Sequence, residues 1–126
     1  MHELSIVSSI VESVIETLEA YPGARVKEVR LRVGALASVV EDSLQFCYGI
    51  ATENTPLQGS ALVVTLLPVV MYCAPCGHCV ELEGVQSFRC PRCGELLGDL
   101  RQGRELEIES IEIDEADATN DVEVNP

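Results

Sequence analysis

Basic side chains are scarce in this sequence, and their scarcity argues against nucleic acid as a partner. The 126 residues include 8 Lys and Arg against 21 Asp and Glu, which gives a formal net charge of −13 at pH 7. Proteins bind phosphate backbones mainly through Lys and Arg that displace counterions, so this chain should be repelled by them. Basic protein surfaces and cations are the partners that its charge favours.

Targeting and membrane segments are also missing from the sequence. The first twenty residues contain four Glu and no Lys or Arg, whereas a secretory signal opens with a basic segment. No apolar run approaches the roughly 18 residues that a membrane span requires. We therefore expect a cytoplasmic protein that does not enter a membrane.

Sequence motifs of catalysis are absent as well. The chain shows no nucleophile with an accompanying base, no phosphate-binding loop and no Gly-rich nucleotide motif. Each of these arrangements would be needed for a familiar class of hydrolase or nucleotide enzyme. We therefore expect a binding protein and not an enzyme.

Hydrophobic periodicity predicts alternating helices and strands. The predicted order is helix (4–20), strand (25–34), helix (41–54), strand (61–70) and strand (104–113). A strand, helix, strand unit implies a parallel pair with a right-handed crossover, and the last strand should pair antiparallel beside one of them. The fold class predicted is α+β, with two helices on a three-stranded mixed sheet.

The same patterns predict three details. Residues 61–70 are apolar on both faces as far as Pro68, as the middle strand of a sheet should be. Cys47 lies on the apolar stripe of the second helix and is expected to be a buried small hydrophobe. In the last strand the apolar phase shifts between Ile108 and Ile111, which favours a bulge between them.

Five of the six cysteines crowd between positions 73 and 93. A reducing compartment disfavours disulfides, so the clustering indicates a metal site. Two C-x2-C pairs, Cys73 with Cys76 and Cys90 with Cys93, supply the four thiolates of a tetrahedral zinc site. Four thiolates complete the zinc shell, whereas catalytic zinc keeps one position open, so the predicted zinc is structural. A module with few large apolar residues would depend on this metal to fold.

Cys79 offers an alternative first pair, Cys76 with Cys79. Gly77 follows Cys76 where the chain must turn back through positive φ, whereas Val80 follows Cys79 and does not easily adopt that conformation. This difference favours Cys73 and Cys76 as the first pair. Cys79 is left as a nearby spare or an exchange ligand.

The cysteine-rich stretch divides the chain into predicted domains. Residues 71–99 form the zinc ribbon, which is inserted into an α+β body of residues 1–70 and 100–113. Residues 114–126 have little apolar content and mostly acidic charge, so they are expected to be a disordered tail. His78 is expected to be a solvated loop residue, with a role in metal binding as the alternative.

The first three residues, Met1, His2 and Glu3, form a second candidate metal site. The Met1 amine and the His2 amide close a five-membered ring on a metal, and that amide with His2 Nδ1 closes a six-membered ring. The Glu3 amide or a carboxylate can complete the plane. A square plane of nitrogens suits Ni(II) or Cu(II) and not tetrahedral Zn(II). Chain ends usually fray, but a helix that starts by Leu4 or Ser5 would tether this one.

Taken together, these segments resemble the HypA/HybF family of hydrogenase nickel-incorporation proteins. The resemblance rests on MHELSIVSSIVE, LRVGALASVVEDSLQF, CAPCG and CPRCG, and it covers nearly the whole chain except the acidic tail. It implies a nickel metallochaperone with a nickel-binding α+β domain and an inserted zinc ribbon. It also implies delivery of Ni(II) to the large subunit of NiFe hydrogenase, together with the partner GTPase HypB.

The resemblance also implies roles for particular residues. The family's initial MHE falls on Met1, His2 and Glu3 as nickel ligands, and some members add an acidic ligand at the position of Glu41 or Asp42. The family's four zinc ligands are placed as follows: Cys73, Cys76, Cys90 and Cys93. A zinc-ribbon adaptor without nickel stays open as an alternative function, and a homodimer as an alternative state.

Overall fold

A computed structural model describes residues 2–114, with His2 described by its backbone alone. The predicted acidic tail therefore lies outside the described residues, except for Asp114. The elements in chain order are α1 (His2–Leu18), β1 (Arg25–Gly34), a short 3-10 helix (Ala35–Ala37), α2 (Glu41–Ala51), β2 (Ala61–Leu67), β3 (Val69–Cys73), β4 (His78–Leu82), β5 (Asp99–Gln102) and β6 (Leu106–Asp114).

The strands form two three-stranded sheets, with the orders β2-β1-β6 and β4-β3-β5. The predicted α+β class is confirmed, since two helices accompany a mixed three-stranded sheet and the cysteine-rich stretch has a separate sheet. No helix among residues 2–114 is long and apolar enough to cross a membrane.

Helix α1 buries the face that its periodicity predicts. The buried stripe consists of Val7, Ile10, Val11, Val14 and Leu18. Ile15, which the periodicity also places on this stripe, lies at its edge and is exposed. The helix begins at His2, two residues before the apolar pattern starts, because His2 and Glu3 are polar and do not contribute to that pattern.

The prediction that residues 61–70 form the middle strand is wrong. β1 lies in the middle of the first sheet and β2 at its edge. Pro68 divides the apolar run into β2 and β3, which belong to different sheets. The apolar character after Pro68 serves the second core, where Val69 is fully buried. In β2 only Leu62 is buried and Leu66 is exposed, so the continuous apolar run indicated neither a middle strand nor burial on both faces.

The chain forms two compact units. Of the described residues, the first contains 2–31, 40–63 and 108–114. In it α1 packs against α2, and Leu44 and Tyr48 are the buried residues of α2. Cys47, expected to be buried, is only half-buried because it lies beside a surface groove.

In β6 the half-buried Ile108 and Ile111 are separated by two exposed residues, which fits the predicted shift in the phase of the apolar residues. The bulge between them stays a prediction.

The second unit contains residues 32–39 and 64–107. Strand β3 pairs antiparallel with both β4 and β5. Its core is a small cluster of apolar side chains and two cysteines: Val69, Met71, Cys73, Val80, Leu82, Cys90 and Leu97. The second sheet begins at Val69 and ends at Gln102, a little beyond the 71–99 range on both sides. The domain boundaries at 70/71 and 99/100 stay a prediction.

Candidate metal centres

The structure brings the four predicted cysteines, Cys73, Cys76, Cys90 and Cys93, into one cluster. Their sulfur atoms all lie within 4.8 Å of one another. The Sγ atoms of Cys73 and Cys93 are 3.6 Å apart, and those of Cys76 and Cys90 are 3.8 Å apart. A zinc tetrahedron with Zn–S bonds of about 2.3 Å has sulfur–sulfur edges of roughly 3.8 Å. The cluster therefore has the dimensions of a four-thiolate zinc site.

Two turns of the same kind position the sulfurs. Gly77 donates its N–H to the carbonyl of Cys73 at 2.8 Å, and Gly94 donates to the carbonyl of Cys90 at 2.9 Å. Both glycines have positive φ, 77° and 80°, which any residue with a Cβ would adopt only under strain. The backbone N–H of Arg92 points at Cys90 Sγ at 3.4 Å. Each turn thus folds back on itself, and the sulfurs of both turns come together in one cluster.

Two thiols of the cluster have pKa values that are shifted in opposite directions. Hydrogen bonds from the backbone amides of Cys93 and Arg92 lower the pKa of the Cys90 thiol to about 6. By contrast, the hydrogen bond with Cys73 and burial raise the pKa of Cys76 to about 12. Cys90 therefore ionises more readily than Cys76, and thiolates this close together would repel one another. A divalent metal removes this penalty because it lies between the negative charges.

Cys79 lies outside the cluster of ligand atoms found among the described residues. It is exposed on β4, where it pairs with Tyr72 of β3. His78 is exposed as expected, but it begins a strand instead of occupying a loop. Its Nε2 lies 3.4 Å from Nη1 of Arg92. The geometry therefore selects the pair that Gly77 indicated and leaves Cys79 and His78 beside it.

The amino terminus is the second candidate centre. Helix α1 begins at His2, and the side chain of Glu3 is buried. Oε2 of Glu3 accepts a hydrogen bond from the backbone N–H of Val40 at 3.0 Å. Met1 and the side chain of His2, both predicted ligands, lie outside what the structure describes.

Val40 immediately precedes α2, so the Glu3 contact ties the first turn of α1 to the beginning of the second helix. Glu41 and Asp42, the candidate acidic ligands, follow Val40 directly and are exposed. Periodicity gave no sign of this contact, because its partners are 37 residues apart. The only local signal was an acid in the first turn of a helix, where the macrodipole favours it.

Comparison with known proteins agrees with this arrangement. Residues 1–113 match the family described as "Hydrogenase/urease nickel incorporation, metallochaperone, hypA". The hydrogenase maturation factor HypA of Chloroflexus aurantiacus is 44% identical over 112 residues, which cover 89% of this chain and 98% of that protein.

Solved structures show the same fold. A solution structure of the Ni metallochaperone HypA from Helicobacter pylori aligns with a TM-score of 0.58 and 20% identity, covering 88% of this chain and 96% of that one. Another HypA solution structure aligns with a TM-score of 0.62 and 21% identity, covering 94% and 98%. At these identities the likeness supports the fold.

Proposed function

Because this chain belongs to the HypA family of hydrogenase and urease nickel-incorporation metallochaperones, we propose that it binds Ni(II) at its own amino terminus and delivers it for maturation of NiFe hydrogenase. The family is one of metallochaperones and not of catalysts. The observation that supports a terminal site best is that α1 begins at His2.

Three nitrogens in sequence would hold the nickel. The Met1 amine, the His2 amide and the His2 imidazole form two fused chelate rings in a plane, a geometry that suits Ni(II). The first N–H groups of an α-helix have no acceptor within the helix, so helix formation does not engage the amide of His2. The fourth position falls to the backbone amide of Glu3, or to a carboxylate from Glu41 or Asp42.

Glu3 would also act as a positioning residue. Its carboxylate accepts a hydrogen bond from the backbone N–H of Val40, which ties the first turn of α1 to the residue before α2. A site so anchored loses less freedom on binding metal than a frayed terminus would. It is also shallow, with few ligands, so a partner can take the metal from it ligand by ligand. The GTPase HypB and the hydrogenase large subunit are the proposed partners, in the cytoplasm.

The four-cysteine cluster would hold a structural zinc ion. Cys73, Cys76, Cys90 and Cys93 leave no position for water or substrate on a tetrahedral ion. Two of them, Cys73 and Cys90, belong to the buried core of the second unit. Zinc would therefore cross-link these two core residues and stabilise the fold of the second unit.

The two histidines of the sequence provide a matched test. We expect His2→Ala, or a residue added before Met1, to abolish nickel binding in a titration of the otherwise untagged protein. His78→Ala should bind nickel as the unaltered chain does, and all variants should keep zinc and far-ultraviolet circular dichroism. Unchanged nickel titration in His2→Ala would exclude the terminal site.

A further inference from the structure

A group of apolar side chains on the two helices faces solvent. Leu4 of α1 and Phe46 and Ile50 of α2 are all exposed, and Phe46 is 70% accessible. With the half-buried Cys47, and with Asp42 and Ser43, they line a groove of about 540 Å³. We call these six lining residues the helix patch.

The helix patch is not an extension of the core. The buried face of α2 is formed by Leu44 and Tyr48, and Tyr48 is fixed there by a hydrogen bond to Ser60 Oγ at 2.6 Å. Phe46 and Ile50 lie one turn apart on a different face of the same helix. Each Å² of apolar surface that stays exposed loses the stabilisation of about 25 cal/mol that its burial would provide. Contiguous exposed apolar side chains of this kind mark interaction surfaces.

Among the described residues of the two helices, every charged side chain is acidic. Neither α1 nor α2 contains a Lys or Arg, and neither do residues 1–24 or 33–88 as a whole. Glu41 and Asp42 are both exposed at the beginning of α2. Asp42 lines the groove together with Leu4 and Phe46, and Glu41 immediately precedes Asp42 in the chain.

The cations of the first unit do not offset this charge. Arg25, Lys27 and Arg30 are all on β1. Lys27 lies 3.7 Å from a carboxylate oxygen of Glu112, and Arg30 lies 2.6 Å from one of Glu28. The helix patch is therefore an apolar groove in negative surroundings.

We propose that the helix patch docks a segment of a partner protein whose apolar side chains are flanked by Lys or Arg. Such a segment would bury its apolar face in the groove while its cations meet the acidic rim. A second copy of this chain is a poor occupant, because two acidic rims would face each other and the net charge is −13. The docked segment would lie beside Leu4, two residues from His2, and so next to the proposed nickel site.

A pair of labelled helical peptides tests this proposal by fluorescence anisotropy. Both carry the same leucine face; one is flanked by lysines and the other by glutamates. We expect the lysine peptide to bind, with an affinity that falls as salt is added, and the glutamate peptide not to bind. Phe46→Ser or Ile50→Ser should weaken binding about tenfold or more.

Leu96→Ser supplies the matched control. Leu96 is 66% exposed, close to the 70% of Phe46, but it lies in the second unit. It should bind the lysine peptide normally. Amide chemical-shift changes should concentrate at residues 4 and 40–53. Failure of the lysine peptide to bind, equal binding of both peptides, or equal loss in Leu96→Ser would overturn the proposal.

Two further measurements separate partner docking from nickel binding and from self-association. Phe46→Ser should keep the nickel stoichiometry of the unaltered chain, so a failure of the nickel assignment is recognised independently of docking. Sedimentation should show the same oligomeric state with and without Phe46→Ser. A dimer that Phe46→Ser dissociates would identify a second copy as the occupant and would contradict the proposal.

Discussion

The carboxylate of Glu3 accepts a hydrogen bond from the backbone amide of Val40 at 3.0 Å, and the Glu3 side chain is only 8% exposed. A residue in the first turn of α1 is thereby held to the beginning of α2. The contact joins the packing of the first unit to the geometry of the proposed nickel site, since His2 is the neighbouring residue.

Removing this contact should destabilise the first unit. Glu3→Ala is expected to lower the free energy of unfolding by about 1.5–3 kcal/mol, the usual contribution of a hydrogen bond to a charged group. Glu3→Gln should cost less, because its amide oxygen can still accept. Urea denaturation measures both. Glu12→Ala, at an exposed position of the same helix, is the control, and a loss no larger than the control's would contradict the role assigned to Glu3.

Zinc retention should distinguish the clustered cysteines from the exposed one. Cys93→Ser is expected to lose zinc and the order of the second unit, because three thiolates leave the tetrahedron open. Cys79→Ser should keep one zinc ion per chain, since Cys79 lies outside the cluster. Elemental analysis of the purified proteins gives the stoichiometry. Zinc lost from Cys79→Ser and kept by Cys93→Ser would reverse the ligand assignment.

The glycine at the end of β1 is required by close packing. A Cβ on Gly34 would overlap the backbone carbonyl carbon and oxygen of Gly103. Gly34 also donates its N–H to the carbonyl of Glu105 at 2.8 Å. Backbone cannot yield as a flexible side chain can, so Gly34→Ala should cost about 3 kcal/mol or more. Gly98→Ala, which meets nothing within 4 Å, is the control in the same thermal or urea measurement.

Tyr48 should make stability depend on alkaline pH. Burial is the main cause of its pKa being raised above the ordinary 10, partly offset by its hydrogen bond with Ser60. The folded state therefore holds this proton more tightly than the unfolded state. The resulting stability is complete below pH 10 and is lost as pH rises through the folded pKa.

Tyr48→Phe removes the ionisable group and tests this prediction. At pH 7 the variant should be less stable by about 1 kcal/mol, the usual worth of a neutral hydrogen bond. The difference in urea midpoint between the unaltered chain and Tyr48→Phe should shrink as the pH rises above 10. Folding of the unaltered chain must then either bury the Tyr48 phenolate or take up a proton, and Tyr48→Phe has no such group. A difference independent of pH would show that Tyr48 ionises equally in both states.

Local patterns in the sequence predicted much of this molecule. The stripe of α1, the alternation of β1 and the choice of Cys73 with Cys76 all follow from features within a few residues. Gly77 is the clearest example, since its need for positive φ identified which cysteines turn toward each other. Such features are local, and local geometry is what a single sequence records.

Contacts between distant segments could not be predicted in the same way. That β2 lies at an edge depends on which strand β6 joins, and the apolar run 61–70 carries no information about it. The contact of Glu3 with Val40 is equally non-local. The exposure of Phe46 follows from its position off the buried stripe, yet its groove needs Leu4 from another helix.

Nickel absorption of the untagged protein is the decisive experiment for the proposed terminal site. With an unblocked Met1 amine and His2, added Ni(II) should give the spectrum of a planar, nitrogen-rich centre with one ion per chain. The signal should weaken in acid, because the amine and the imidazole must lose protons to bind. The same planar spectrum from His2→Ala, or an octahedral spectrum from the unaltered chain, would rule out planar nickel binding by Met1 and His2.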